Sequence, residues 1–119
     1  MKVIIAGSRT LTLNPGELHA YVLKAGLLSK IKEVVSGGAR GIDKSGEVWV
    51  EAFNISKVKV IPAKWEEHGR AAGPIRNKEM AKYADALLLI WDGKSRGSAN
   101  MKKQMETLGK PVYEFIVGE

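Results

Sequence analysis

A Rossmann-like α/β sandwich, with five parallel strands and helices on both faces, is the fold this sequence predicts. Three observations carry that prediction. Short β-branched or apolar runs alternate with segments of helical spacing, in the order βαβαβαβαβ. Most runs stop at glycine or proline. The fourth run, Ala86–Trp91 (ALLLIW), is apolar throughout, which is how a strand buried on both faces reads.

Lys2–Ala6 (KVIIA) is the first strand, stopped by Gly7-Ser8-Arg9. Asn14-Pro15 then reads as an N-cap followed by proline in the first helical position. Leu18, Val22, Ala25 and Leu28 give the first helix its apolar face. Residues 33–36 (EVVS) are the second strand, closed by Gly37-Gly38. The second helix runs from about Gly41 to Phe53, with Ile42, Gly46, Trp49 and Phe53 on one face at helical spacing. Residues 57–61 (KVKVI) form the third strand, ended by Pro62.

Residues 62–73 show no regular period and read as a long loop, a class often tied to function. Pro74 opens a helix bearing Met80, Tyr83 and Ala84. After the fourth strand comes a glycine-containing loop, 92–97 (DGKSRG). A last helix over about 98–108 turns Met101, Met105 and Leu108 inward. Gly109 and Pro111 close it, and residues 112–117 form the fifth strand.

Composition narrows the function classes. The chain has 119 residues, 45% hydrophobic and 27% charged, which fits one domain over residues 1–119 and excludes a wholly disordered chain. Folding a chain of this mass buries roughly two-thirds of its surface, enough for a core without staples. Cysteine is absent and histidine occurs twice. Disulfides, thiol nucleophiles and a histidine-built metal site are therefore not expected, and no cofactor is implied. No apolar run approaches the roughly 18 residues of a membrane span, and the N-terminus lacks a signal-peptide pattern. A cytoplasmic protein is expected. The net charge of +6 permits an anionic partner, whether nucleotide or nucleic acid, and equally serves solubility.

In a parallel sheet of this kind ligands bind beyond the carboxyl ends of the strands, where strand order reverses. The five arginines, Arg9, Arg40, Arg70, Arg76 and Arg96, all fall in or beside loops on that edge, whereas the fourteen lysines are scattered. Arginine presents a planar fork suited to phosphate. The stretch Ser36-Gly37-Gly38-Ala39-Arg40-Gly41-Ile42-Asp43 is the sharpest signal, because glycines let backbone amides approach an anion at a helix start. Two common nucleotide motifs fail. A P-loop would need glycine at Asp43, before Lys44-Ser45, and a dinucleotide fingerprint would need glycine at Ser36.

Several residues keep two readings. Ser98 is an N-cap or a donor to ligand phosphate. Asp43 and Asp92 bind ribose hydroxyls or cap local structure. Trp65 stacks on a base or anchors its loop. Glu66, Glu67 and His68 read as a solvated polar stretch, and His19 as a surface residue.

Taken together, GSR at residues 7–9, VVSGGARGID at 34–43, PAKW and HGRAAGPIRNKEM within 62–80, and ADALLLIWDGKSRGS at 84–98 resemble the YspA-like branch of the SLOG superfamily. That superfamily includes the Lonely Guy (LOG) proteins and DNA-processing protein A (DprA). The resemblance spans about residues 3–115. It implies a pocket for a nucleotide or nucleotide derivative and, by analogy, a homodimer or larger assembly. Gly7, Ser8 and Arg9 would line its floor, and Gly37, Gly38, Arg40, Gly41 and Asp43 the first ligand loop. Arg76 and Asn77 match the family's Arg-Asn pair, while Gly93, Ser95, Arg96, Gly97 and Ser98 would form the phosphate loop. LOG enzymes are similar to one another in a PGGxGTxxE motif whose glutamate assists cleavage of the base–ribose bond. The aligned stretch here is GKSRGSANM, with Met101 at the glutamate position. A ligand-binding or sensor module is therefore the expected function. A LOG-like N-glycosidase using Arg76 with Asp43 or Asp92 is the alternative, and DprA-like binding of single-stranded DNA the second alternative.

Overall fold

The computed structural model describes residues 1–55 and 57–117. Five strands, β1 (Lys2–Gly7), β2 (Glu33–Ser36), β3 (Lys57–Val60), β4 (Ala86–Trp91) and β5 (Val112–Ile116), form one sheet in the order β3-β2-β1-β4-β5. Every pairing is parallel. The chain steps outward from β1 to β3, then returns to place β4 on the other side of β1. Strand order therefore reverses between β1 and β4.

Alternation of side chains divides the core. Val3, Ile5, Val34, Leu88 and Ile90 point to one face, under α1 (Pro15–Lys24) and α2 (Ile42–Phe53). Ile4, Ala6, Val35, Leu87, Leu89 and Trp91 point to the other, under α4 (Ala72–Tyr83) and α5 (Arg96–Thr107). All six residues of β4 are buried, as its unbroken apolar run predicts. The three-layer Rossmann-like architecture is the expected one.

Local chemistry sets the helix ends. The Asn14 side chain accepts from the Glu17 amide at 2.8 Å while Glu17 accepts from the Asn14 amide at 2.9 Å, a reciprocal capping box behind Pro15. Gly109, at φ +68°, closes α5. Lys110 Nζ reaches the carbonyls of Ala81 and Ala84, each at 2.7 Å, and ties the end of α4 to the start of β5.

Four expectations are corrected. Residues 62–73 are not a loop throughout: Trp65–His68 form one helical turn (α3), a 3₁₀ turn follows over Gly69–Ala71, and α4 begins at Ala72. One turn is too short for its period to show in sequence. The last helix starts at Arg96, so Ser95 is its N-cap rather than Ser98. Leu108 and Phe53 are 46% and 40% exposed, each standing at a helix end past the covering sheet. His19 is half-buried, accepting a hydrogen bond from Trp49 Nε1 at 3.1 Å with its ring 4.4 Å from that of Phe53.

The ends of β1 and β4 approach closely because residue 7 lacks a side chain. A Cβ there would lie 1.7 Å from the Ile90 carbonyl oxygen. Gly7→Ala should therefore lower the unfolding free energy by about 2–3 kcal/mol in urea titration. Gly16→Ala in α1 meets only Asn14 Oδ1 at 3.4 Å. It should be neutral or stabilising by about 0.5 kcal/mol.

Candidate functional site

A cavity of about 490 Å³ opens at the carboxyl edge of the sheet, beside the point where strand order reverses. Its floor is Ala6 and Gly7 at the end of β1, with Met80 of α4 and Met101 of α5. Its walls come from the loop between β2 and α2, from α3 and the start of α4, and from the first turn of α5.

α4 explains how polar groups enter this wall. Its buried residues repeat as Ala72, Gly73, Arg76, Asn77, Met80 and Ala81, a single helical face. The C-terminal half of that face is apolar and joins the core. The N-terminal half carries Arg76 and Asn77, 9% and 5% exposed. Arg76 Nη1 donates to the Gly37 carbonyl at 2.6 Å, and its Nε donates to Asn77 Oδ1 at 2.9 Å. Asn77 Nδ2 in turn donates to Asn100 Oδ1 at 3.0 Å and to the Gly97 carbonyl at 3.3 Å. One chain of hydrogen bonds thus links the loop after β2, α4 and the first turn of α5.

Gly37 is where this chain needs a bare backbone. A Cβ at residue 37 would lie 2.4 Å from Arg76 Nη1 and 2.7 Å from Asp43 Oδ2. Asp43, 5% exposed, accepts from the Ala39 amide at 3.3 Å. Burial raises its pKa, against the opposing pull of Arg76 and the Ala39 amide. Burial likewise lowers the pKa of Arg76. Asp43 counters that shift, and the nearby charge of Arg9 adds to it.

The cavity wall is strongly cationic. Arg9, Arg70, Arg76 and Arg96 all line it, and Asp43 is the one carboxylate among the described residues that does. The Arg9 guanidinium sits 5.8 Å from the centre of the Trp65 ring. Trp65 packs over Gly73 yet remains 49% exposed, so it is both a loop anchor and an open aromatic face. Ser98 also lines the cavity, and its buried hydroxyl has no hydrogen-bond partner among the described residues. The Ser95 hydroxyl takes the Ser98 amide at 3.4 Å as the cap of α5.

The other expected residues have different places. Gly37, Gly38 and Arg40 line a second, adjoining cavity of about 340 Å³. Gly41, at φ +77°, lets the start of α2 cross within contact of the Ser8 carbonyl. The Ser8 hydroxyl accepts from the Asp92 amide at 3.0 Å and braces the loop after β4. The Asp92 carboxylate accepts from the amides of Lys94 and Ser95 at 2.8 and 3.0 Å. Those bonds hold its pKa below the usual carboxylate value. It serves as a turn cap and does not line the cavity, nor does Gly93. Glu66, Glu67 and His68 are exposed. Ala39 and Asn100 are lining residues that sequence reasoning missed. Asn100 was findable from its spacing, three residues after Gly97 on the face that also presents Met101.

No protein-family model matches the chain. The Gene 61 protein of Mycobacterium phage D29 is 38% identical over 88 residues, covering 69% of this chain and 70% of that protein. The chain belongs to the family of that phage protein. Among solved structures, DNA processing protein A (DprA) from Streptococcus pneumoniae matches this chain with a TM-score of 0.73 over 99% of its length, at 19% identity. This chain spans 50% of that one. The likeness shows that this chain has the fold of that structure.

The Asp43 environment makes a pH prediction for this chain. With the folded pKa raised, the folded state holds a proton that the unfolded chain has released, so stability falls as pH rises through the ordinary value of 3.8. The loss is complete above the raised folded pKa. Asp43→Asn removes this titration. Urea unfolding of both proteins between pH 3 and 8 should show the variant gaining relative to the native protein across that window, then holding a constant difference.

Proposed function

We propose that the chain binds a nucleotide or nucleotide-derived anion in the arginine-lined cavity, acting as a sensor or ligand-binding module of the YspA-like SLOG branch. One observation carries the reading. Four of the five arginines line a single cavity at the reversal of strand order, together with a buried hydroxyl that has no partner among the described residues. Arginine forks and the first-turn amides of α5 suit phosphate oxygens. A phosphate oxygen near Ser98 would supply the missing partner of its hydroxyl. The open face of Trp65 suits a base, and Asp43 suits a ribose hydroxyl or an exocyclic amine. The volume of about 490 Å³ falls within the ordinary range for small-molecule sites.

The N-glycosidase alternative has less support. An oxocarbenium-like transition state needs a carboxylate close by. The position of the LOG glutamate is Met101, buried at the cavity floor. Asp43 is left as the one lining carboxylate among the described residues, and burial favours its neutral form. The second alternative, single-stranded DNA, draws on the likeness to DprA and on the net charge of +6. It calls for affinity that falls steeply with salt.

The test is native mass spectrometry with a panel of nucleotides, followed by calorimetry on whatever binds. An intact nucleotide should be retained, and the same spectrum reports the number of subunits. Arg9 and Arg96 are exposed, so their removal spares the fold. Arg9→Ala and Arg96→Ala should each weaken binding about tenfold, the effect of losing a charge-assisted hydrogen bond of about 1.5 kcal/mol. Unchanged affinity in both variants removes the cavity from consideration. Release of free base from the panel replaces the binding module with the glycosidase.

A further inference from the structure

The site has two compartments, and we infer that its ligand has two arms: a dinucleotide-type molecule in which at least two phosphates or phosphate-linked sugars span both cavities. The inference rests on the nucleotide reading above and specifies the ligand class. The second cavity, about 340 Å³, adjoins the first and shares with it Arg9, Ala39, Trp65 and Arg76. It holds the fifth arginine, Arg40, and no carboxylate lines it among the described residues. All five arginines of the chain therefore border this pair of cavities.

The first cavity alone is large enough for a mononucleotide, so the second is surplus to one. Its construction suits an anion. The loop after β2 borders it with the backbone of Gly37 and Gly38, and Gly38 holds φ +73°. Opposite stand Pro62 and Ala63, small groups that leave the space open. The shared wall matters most. Arg76, fixed by the Gly37 carbonyl and Asn77, and Arg9, set against the Trp65 ring, stand where a linking phosphate would pass between compartments. A base in either compartment can lie on Trp65, which lines both.

Trp65 also supplies the readout. It is 49% exposed, whereas Trp49 and Trp91 are 0% and 6% exposed, so ligand-dependent change in tryptophan emission reports chiefly on Trp65. The experiment titrates the full chain with nucleoside 5′-monophosphates of each base. Matching dinucleotides are titrated in two linkages, pyrophosphate-linked and 5′-phosphorylated phosphodiester-linked, together with phosphodiester oligomers of four and eight nucleotides. Fluorescence and calorimetry are read in parallel. The variants are Arg40→Ala and the charge reversal Arg40→Glu in the second cavity, and Arg96→Ala in the first. Arg40 is exposed and lines only the second cavity, so its loss spares the first.

A dinucleotide in one of the two linkages should bind at least tenfold more tightly than its mononucleotide. Arg40→Ala should remove most of that advantage and Arg40→Glu all of it, with mononucleotide affinity unchanged within twofold. Arg96→Ala should weaken both ligands. The linkage that gains affinity identifies the ligand's chemistry. Equal affinity for mono- and dinucleotides, or equal losses for both in the Arg40 variants, overturns the two-armed ligand and leaves the nucleotide reading standing. Affinity that continues to climb through four and eight nucleotides also overturns it and favours a nucleic-acid strand. Binding of none of these molecules overturns both readings.

Discussion

A single buried guanidinium organises the functional edge of this protein. Arg76 rises from α4 into a space bounded by the loop after β2 and the first turn of α5, and its hydrogen bonds reach both, directly to Gly37 and through Asn77 to Gly97 and Asn100. Taking a charge out of water is costly unless it is paired and hydrogen-bonded. The fold meets that requirement with a carbonyl, an amide oxygen and the nearby carboxylate of Asp43. Gly37 follows as a necessity, because any side chain there would occupy the space of both Arg76 and Asp43. The apolar half of α4 supplies the anchorage, with Met80 and Ala81 buried against the sheet one turn further along.

The same edge carries a charge imbalance that the chain's own groups do not relieve. Burial works most strongly against the charged form of Arg76 and Arg9 adds to it, while Asp43 offsets the two together only in part. Stability would be better served by fewer arginines here. Their retention on one edge, with lysines distributed elsewhere, makes sense if an anion completes the site. Such an anion gains from groups already oriented and partly desolvated, where each contact is stronger than in water. The Ser98 hydroxyl, without a hydrogen-bond partner among the described residues, belongs to the same pattern: a buried polar group held in place at a cost.

Much of this arrangement was legible in the sequence. Strand runs, their glycine and proline stops and the Asn14-Pro15 helix start fixed the order of elements, and the parallel sheet then assigned the arginines to one edge. What escaped had identifiable physical causes. Ser95 and Ser98 are both cap-forming residues three apart, and only the backbone shows that Ser95, at φ −60° and ψ 126°, is the non-helical one. Asp92 and Asp43 are alike in sequence. One sits on an exposed turn whose amides engage its Oδ1, and the other is buried beside Arg76. Arg40 lies in the same glycine loop as Asp43, yet the tight turns at Gly38 and Gly41 send the two residues to different cavities. Side-chain direction out of a glycine-rich turn is not encoded in residue spacing.

The distribution of carboxylates bears on binding and turnover more directly than the fold does. A sheet of this topology offers a ligand edge and says nothing about chemistry. In this edge, five arginines face two joined cavities while one carboxylate, Asp43, lines them among the described residues, and burial biases that carboxylate toward its neutral form. Glu79, another acid near this edge, borders a separate cavity on the far side of Arg76. At the floor, where a carboxylate would face a developing sugar cation, the thioether of Met101 is buried against the core. Cationic walls stabilise a bound polyanion in its ground state. They destabilise a transition state that gains positive charge. The electrostatics of this site therefore suit a bound anion better than a transition state that gains positive charge.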